Sequence, residues 1–193
     1  MKTIETTLTT TALFSKDETK RYLLKKIWDA NKPSLGIVML VPSDASGIVL
    51  DSTTMLVLNN ASRLGYGSVS IVNLFATLGD HRLAHAEDED TENINAIIDV
   101  AKTVDTMVYA PGVGKGTNKS FIKRQTQVLK ALAPYESKMR CISNSNGIAR
   151  FQHPLSPVVR VWHLSEMRVA ELLDSATVKL IEAQGEHSKK TKK

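Results

Sequence analysis

One apolar stretch constrains the fold of this chain more than any other part of it: residues 34–44, with the sequence SLGIVMLVPSD. The stretch is too short to cross a membrane, which takes about 20 residues, and too continuous for a strand with one face in water. It predicts the buried central strand of a parallel sheet, followed by a Pro-Ser-Asp loop. Ligands of open α/β sheets bind beyond the carboxyl ends of the strands, so we expect a site at residues 41–44.

Composition sets the class of protein but not its partners. The 193 residues fit one domain over 1–187 and a basic, disordered tail over 188–193. The formal net charge of the chain is +5, and four lysines lie in that tail. Charge alone therefore does not indicate a nucleic-acid partner. The chain shows neither a signal-peptide pattern nor a membrane-length apolar run, and we expect a cytoplasmic protein without a membrane partner. The single cysteine, Cys141, excludes an internal disulfide.

The rest of the chain alternates between strand and helix patterns. Short apolar runs predict three more strands, and apolar residues at helical spacing predict four helices. The strands are 69–75, 106–110 and 139–143, and the helices are 52–64, 91–103, 119–132 and 165–183. The alternation predicts an α/β fold, a three-layer α/β/α sandwich with a mostly parallel sheet of four or five strands.

Two N-terminal segments are ambiguous. The threonine-rich residues 2–12 fit either an edge strand or a loose start. Residues 15–31 read as a helix, because Ser15 and Glu18 fit a capping box, although the family resemblance described below implies a strand over Arg21–Trp28 as the alternative.

A glycine-rich turn follows the predicted strand at 106–110. It contains Gly112, Gly114 and Lys115, and its backbone amides and lysine are suited to a ligand or a phosphate. It does not match the Walker pattern, and Thr117 stands where the dinucleotide fingerprint needs its third glycine.

Two polar residues beside the predicted strands are further candidates. Asn73 lies in an otherwise apolar strand, where its amide either bonds a neighbouring loop or reads the edge of a ligand. His153 follows the last predicted strand and is either a structural hydrogen-bonder or a ligand contact. The other histidines have no ligand-like spacing with it, so we expect no metal and no cofactor.

Several motifs together resemble the DUF1643 family of unknown function. They run in order from about Lys20 to Leu155 and comprise KRYLLKKIWD at 20–29, Lys32-Pro33, Pro42-Ser43, Asp51 with Thr53, LGYG at 64–67, VNLF at 72–75, Glu92-Asn93 and His153-Pro-Leu155.

DUF1643 is in turn remotely similar to the uracil-DNA glycosylase superfamily, which implies a uracil-DNA glycosylase-like fold. In that superfamily a loop after the first strand carries a water-activating carboxylate or amide, an asparagine reads the flipped base, and a late His-Pro-Ser-type motif contacts the lesion strand. The resemblance aligns Val41-Pro42, Asn73 and 153–156 with these elements. Val41 replaces the catalytic residue, and valine cannot orient water.

The resemblance and the residues together lead to one main hypothesis. We expect binding of a nucleobase, nucleotide or nucleic acid by Pro42, Ser43, Asn73 and the turn with Gly112, Gly114 and Lys115. If the protein is an enzyme, Asp44 is the expected general base and His153 the transition-state stabiliser. The alternatives are a non-catalytic interaction protein that retains a glycosylase-like fold and a small-molecule hydrolase. The oligomeric state stays open.

Overall fold

The computed structural model describes residues 1–43, 47–79, 90–112, 119–147 and 150–174. The strands are β1 Thr9–Phe14, β2 Arg21–Ile27, β3 Ser34–Met39, β4 Ser68–Asn73, β5 Thr106–Tyr109, β6 Met139–Ser143 and β7 His163–Glu166. The helices are α1 Ser52–Arg63, α2 Thr91–Thr103, α3 Lys119–Leu132 and α4, residues 169–174. The expected tail, residues 188–193, lies outside the described residues.

The described strands form one seven-stranded mixed sheet in the order β1-β2-β4-β3-β5-β6-β7. The central strands β4, β3, β5 and β6 pair in parallel, whereas the pairings β1–β2, β2–β4 and β6–β7 are antiparallel. The prediction of a mostly parallel sheet with four or five strands was therefore wrong. The parallel part is the core of the sheet, and antiparallel strands that the apolar runs did not reveal extend it on both sides.

The N-terminal helix predicted over 15–31 is absent from the structure, and the alternative strand is confirmed as β2. Tyr22 and Leu24 are buried while Leu23 and Lys25 are half-buried, which is the period of two expected of a strand. Residues 15–20 form a turn in which the Ser15 hydroxyl accepts from the Lys20 amide at 3.0 Å. The apparent capping box is thus the side-chain bonding of a hairpin turn.

Helices cover both faces of the sheet. On one face, Leu35, Ile37 and Met39 of β3 share a core with residues of α1. On the other face, Val38 shares a core with residues of α2 and α3. Successive residues of β3 therefore alternate between two cores, which explains why the strand reads as a continuous apolar run.

Two helices differ from their predicted form. In α1 the buried residues include the polar Thr54 and Asn60, whereas the apolar Met55 is 45% exposed. The helix predicted over 165–183 begins only at residue 169, because 163–166 form β7. None of the helices in the described ranges is long and apolar enough to span a membrane.

Candidate functional site

The carboxyl ends of the four parallel strands meet at one edge of the sheet. Asn73, the last residue of β4, pairs in register with Met39, the last residue of β3. Val38 of β3 pairs with Tyr109 at the end of β5 on the other side. The loops that follow these strands therefore start side by side, as the parallel arrangement requires.

A pocket of about 410 Å³ opens at this edge. Its lining residues are Met39, Leu40, Val41, Pro42, Ser43, Thr53, His153 and Leu155. The lining is mainly apolar, with polar groups from Ser43, Thr53 and His153. Both the volume and the combination of apolar walls with a few polar groups are typical of a site for a small organic ligand.

One ring nitrogen of His153 accepts a hydrogen bond from the backbone. The backbone N–H of Leu155 donates to Nδ1 at 3.2 Å, so the neutral ring carries its proton on Nε2. Burial lowers the pKa of His153, and the negative charge of Asp51 opposes this effect in part. At neutral pH the side chain is therefore a neutral imidazole that offers a hydrogen-bond donor.

Gly112 makes room for His153. Its φ of +87° lies in the left-handed region that glycine favours, and a Cβ atom there would lie 3.1 Å from Cβ of His153. The loop after β5 and the His153 loop consequently pack backbone against side chain. Gly112 serves to position this histidine.

A buried ionic cluster supports the wall formed by Ser43. The guanidinium Nη1 of Arg21, which is 2% exposed, donates to the backbone carbonyl of Ser43 at 3.0 Å. Burial would raise the pKa of the Asp51 carboxyl, but hydrogen bonds from Ser43 and Thr54 and the charge of Arg21 outweigh it and hold that pKa below its usual range. Asp51 stays ionised and caps α1 by accepting from the Thr54 amide at 2.5 Å.

Asn73 is a buried residue at the end of β4, paired in the sheet with the pocket residue Met39. The residue is 1% exposed, and Nδ2 has no hydrogen-bond partner among the described residues. Side chains two apart in a strand share a face, so Asn73 lies on the face of Ile71, in the core that also contains Met39. Asn73 is not itself a lining residue of the pocket, but it is the direct neighbour in the sheet of the lining residue Met39.

The structure brings together part of the predicted site. Pro42, Ser43 and His153 line one pocket, Gly112 contacts His153, and Asn73 lies next to the pocket residue Met39. The remaining predicted residues, Asp44, Gly114 and Lys115, lie outside the described residues.

Sequence reasoning missed three contributors to the site. Arg21 falls in the segment that was predicted as a helix. Its burial on a strand indicates a local role for the cation, and this burial is visible only in the structure. Asp51 and Thr53 were expected only as parts of a family motif. In the structure Asp51 places a negative charge beside the pocket, and Thr53 lines the pocket.

Comparison with known proteins adds a family and nothing more specific. No curated protein and no solved structure matches the chain. The family model described as a protein of unknown function, DUF1643, matches residues 21–155, which include Arg21, Asp51, Asn73 and His153. The chain belongs to the DUF1643 family.

Proposed function

We propose that this DUF1643 protein binds a nucleobase, free or as part of a nucleotide or nucleic acid, in the pocket at the carboxyl ends of β3 and β4. The observation that carries the proposal is the buried amide nitrogen of Asn73, which has no hydrogen-bond partner among the described residues and belongs to the sheet neighbour of the pocket residue Met39. Leaving a buried polar group unpaired costs about 1–3 kcal/mol, which a ligand that accepts from Nδ2 would recover.

The chemistry of a nucleobase matches what the pocket offers. A carboxamide has both a donor and an acceptor, the combination that the pairing edge of a base presents in return. Met39, Pro42 and Leu155 supply apolar contacts for the faces of a ring. The Nε2 proton of His153 provides a second donor for a carbonyl of the base or an oxygen of its sugar.

The resemblance to the uracil-DNA glycosylase superfamily supports the same ligand, because it aligns Asn73 with the base-reading asparagine. A uracil-DNA glycosylase-like fold is part of this proposal. The narrower form of the proposal is binding without base removal, because Val41, which lines the pocket, aligns in the resemblance with the water-activating residue of that superfamily. The isopropyl group of valine has no atom that orients water.

Calorimetric titration with free nucleobases, nucleosides and short single-stranded DNA tests the proposal. We expect at least one of these ligands to bind the wild-type protein, and Asn73→Ala to weaken that binding about tenfold or more, as loss of one buried hydrogen bond predicts. Asn73→Asp keeps the shape of the side chain and replaces the donor with an acceptor, so it should weaken binding at least as much.

Asn31→Ala is the matched control, because Asn31 is exposed and lies at the opposite end of β3. It should bind the ligand like the wild type. Folded Asn73 variants that retain full affinity would contradict the proposal, as would the absence of binding by every base-containing ligand.

A further inference from the structure

The two edges of the sheet differ in length and charge. β7 has four residues, and Glu166 places a carboxylate on it. β1 has six residues, none charged and none proline. Natural sheets protect their edges with short strands, charged side chains or proline, since an open edge is a template for another strand. β7 has this protection, whereas β1 lacks it.

The outer side of β1 is open to solvent among the described residues. β1 is the terminal strand of the sheet and pairs only with β2, so its outward N–H and C=O groups have no strand partner in the described chain. Leu13 and Phe14 are 50% and 38% exposed. The edge thus combines unpaired backbone groups with exposed apolar side chains.

We propose that β1 pairs antiparallel with β1 of a second copy of this chain, so that one sheet runs through a two-fold symmetric dimer. An antiparallel pair of identical strands is self-complementary about a two-fold axis. Because Thr9–Phe14 carries no charge, two copies bring no like charges together. In the register that pairs the whole strand, the three threonines of one copy face Ala12, Leu13 and Phe14 of the other, so uncharged side chains cover Leu13 and Phe14.

A second copy fits this edge better than a charged peptide. A peptide selected by charge needs a complementary charge on the strand it joins, and the β1 sequence TTTALF has none. Recognition at this edge therefore rests on backbone hydrogen bonds and on uncharged side chains, which a second copy supplies in matching form.

Sedimentation equilibrium of the full chain tests the proposal. Over about a hundredfold range of concentration, the dimer fraction should rise with concentration by mass action. Hydrogen exchange at the two ends of that range should show slower exchange of β1 amides in the concentrated sample, with β7 amides unchanged. This comparison needs no variant.

Thr11→Glu is the informative substitution. Thr11 is exposed and pairs with Lys25 on β2, so a glutamate there faces a lysine within one copy. In a dimer, the second copy would cover this carboxylate, which opposes pairing. The variant should therefore stay folded but become monomeric. His163→Glu, at an exposed position of β7, is the matched control and should still dimerise.

A wild-type chain that stays monomeric over the whole range would overturn the proposal. So would a Thr11→Glu variant that dimerises like the wild type, or a dimer in which β7 rather than β1 gains protection from exchange.

Discussion

The side-chain amide of Asn93 donates to the backbone carbonyl of Asn73 at 3.0 Å and to that of Leu74 at 3.1 Å. One side chain in the first turn of α2 therefore fixes the carboxyl end of β4, where the pocket edge begins. Asn93 and Asn73 are both buried, but only the amide nitrogen of Asn93 has partners among the described residues. The side-chain oxygen of Asn93 has no partner there either, so the contrast concerns the two amide donors: that of Asn93 holds backbone carbonyls, and that of Asn73 is the one that the proposed function assigns to a ligand.

The first prediction follows from this pair. Asn93→Ala should lower the free energy of unfolding by about 1–3 kcal/mol, because it leaves two buried carbonyls without their donor. Asn73→Ala removes an amide nitrogen that has no partner within the described ranges, and its stability should stay within about 1 kcal/mol of the wild type. Urea denaturation of both variants measures the difference, and equal losses would show that the Asn73 amide is structural.

The second prediction concerns the packing of α2 on β3. A Cβ atom on Gly36 would lie 2.5 Å from Sδ of Met107 and 2.9 Å from Cγ1 of Val100. Gly36→Ala should therefore cost about 1–3 kcal/mol by overpacking. Gly47→Ala is the control, since nothing lies within 4 Å of its added methyl group. Thermal denaturation compares them, and a Gly36 variant as stable as the control would refute this account.

The third prediction concerns the cap of α1. Asp51→Ala removes both the acceptor of the Thr54 amide and the negative charge beside buried Arg21, so it should cost at least about 1 kcal/mol. Asp51→Asn keeps a capping oxygen and should lose less, so the difference between the two variants isolates the cap from the charge beside Arg21. Asp99→Ala removes only an exposed i,i+3 partner of Lys102 and should change stability by less than about 0.5 kcal/mol. A loss in the Asp99 variant equal to that of Asp51→Ala would contradict the role of the cap.

The fourth prediction is a pH dependence at His153. Burial holds its pKa in the folded protein below the ordinary value of 6.5. As the pH falls below 6.5, the unfolded chain takes up a proton that the folded chain resists, so the stability of the fold should decline there.

His153→Asn supplies an oxygen that accepts from the Leu155 amide and does not titrate, so it should flatten this part of the pH profile. Denaturation midpoints at several pH values give the comparison. The same slope in the variant and the wild type would show that another group is responsible.

Local patterns predicted most of the elements that position the site. The continuous run at 34–39 predicted the central strand, and helix spacing predicted the bounds Thr91–Thr103 and Lys119–Leu132. Such predictions succeed where burial on one or both faces leaves a period that the sequence itself displays. β2 was harder, because its residues Arg21–Ile27 also fit a helical spacing and only their pairing with β1 and β4 decides between the two.

The candidate site was predictable only in part for the same reason. Pro42, Ser43 and His153 follow strands, and topology alone brings such residues to one edge. The burial of Arg21 beside Ser43 depends on contacts between residues far apart in the chain. The same is true of the hydrogen bond from the amide nitrogen of Asn93 to the backbone carbonyl of Asn73. No local pattern encodes them.

The sequence by itself determined the family, the central apolar strand and the helices that cover it, because each depends on neighbouring residues or on motifs. Only the tertiary structure decided that the sheet is mixed and that β1 is its terminal strand, with no further strand on its outer side in the part of the chain that the structure describes. It also decided that the amide nitrogen of Asn73 is left without a partner beside the pocket among the described residues. The physical reason is that strand pairing and hydrogen-bond satisfaction are properties of distant residues brought together, and folding selects them by total free energy.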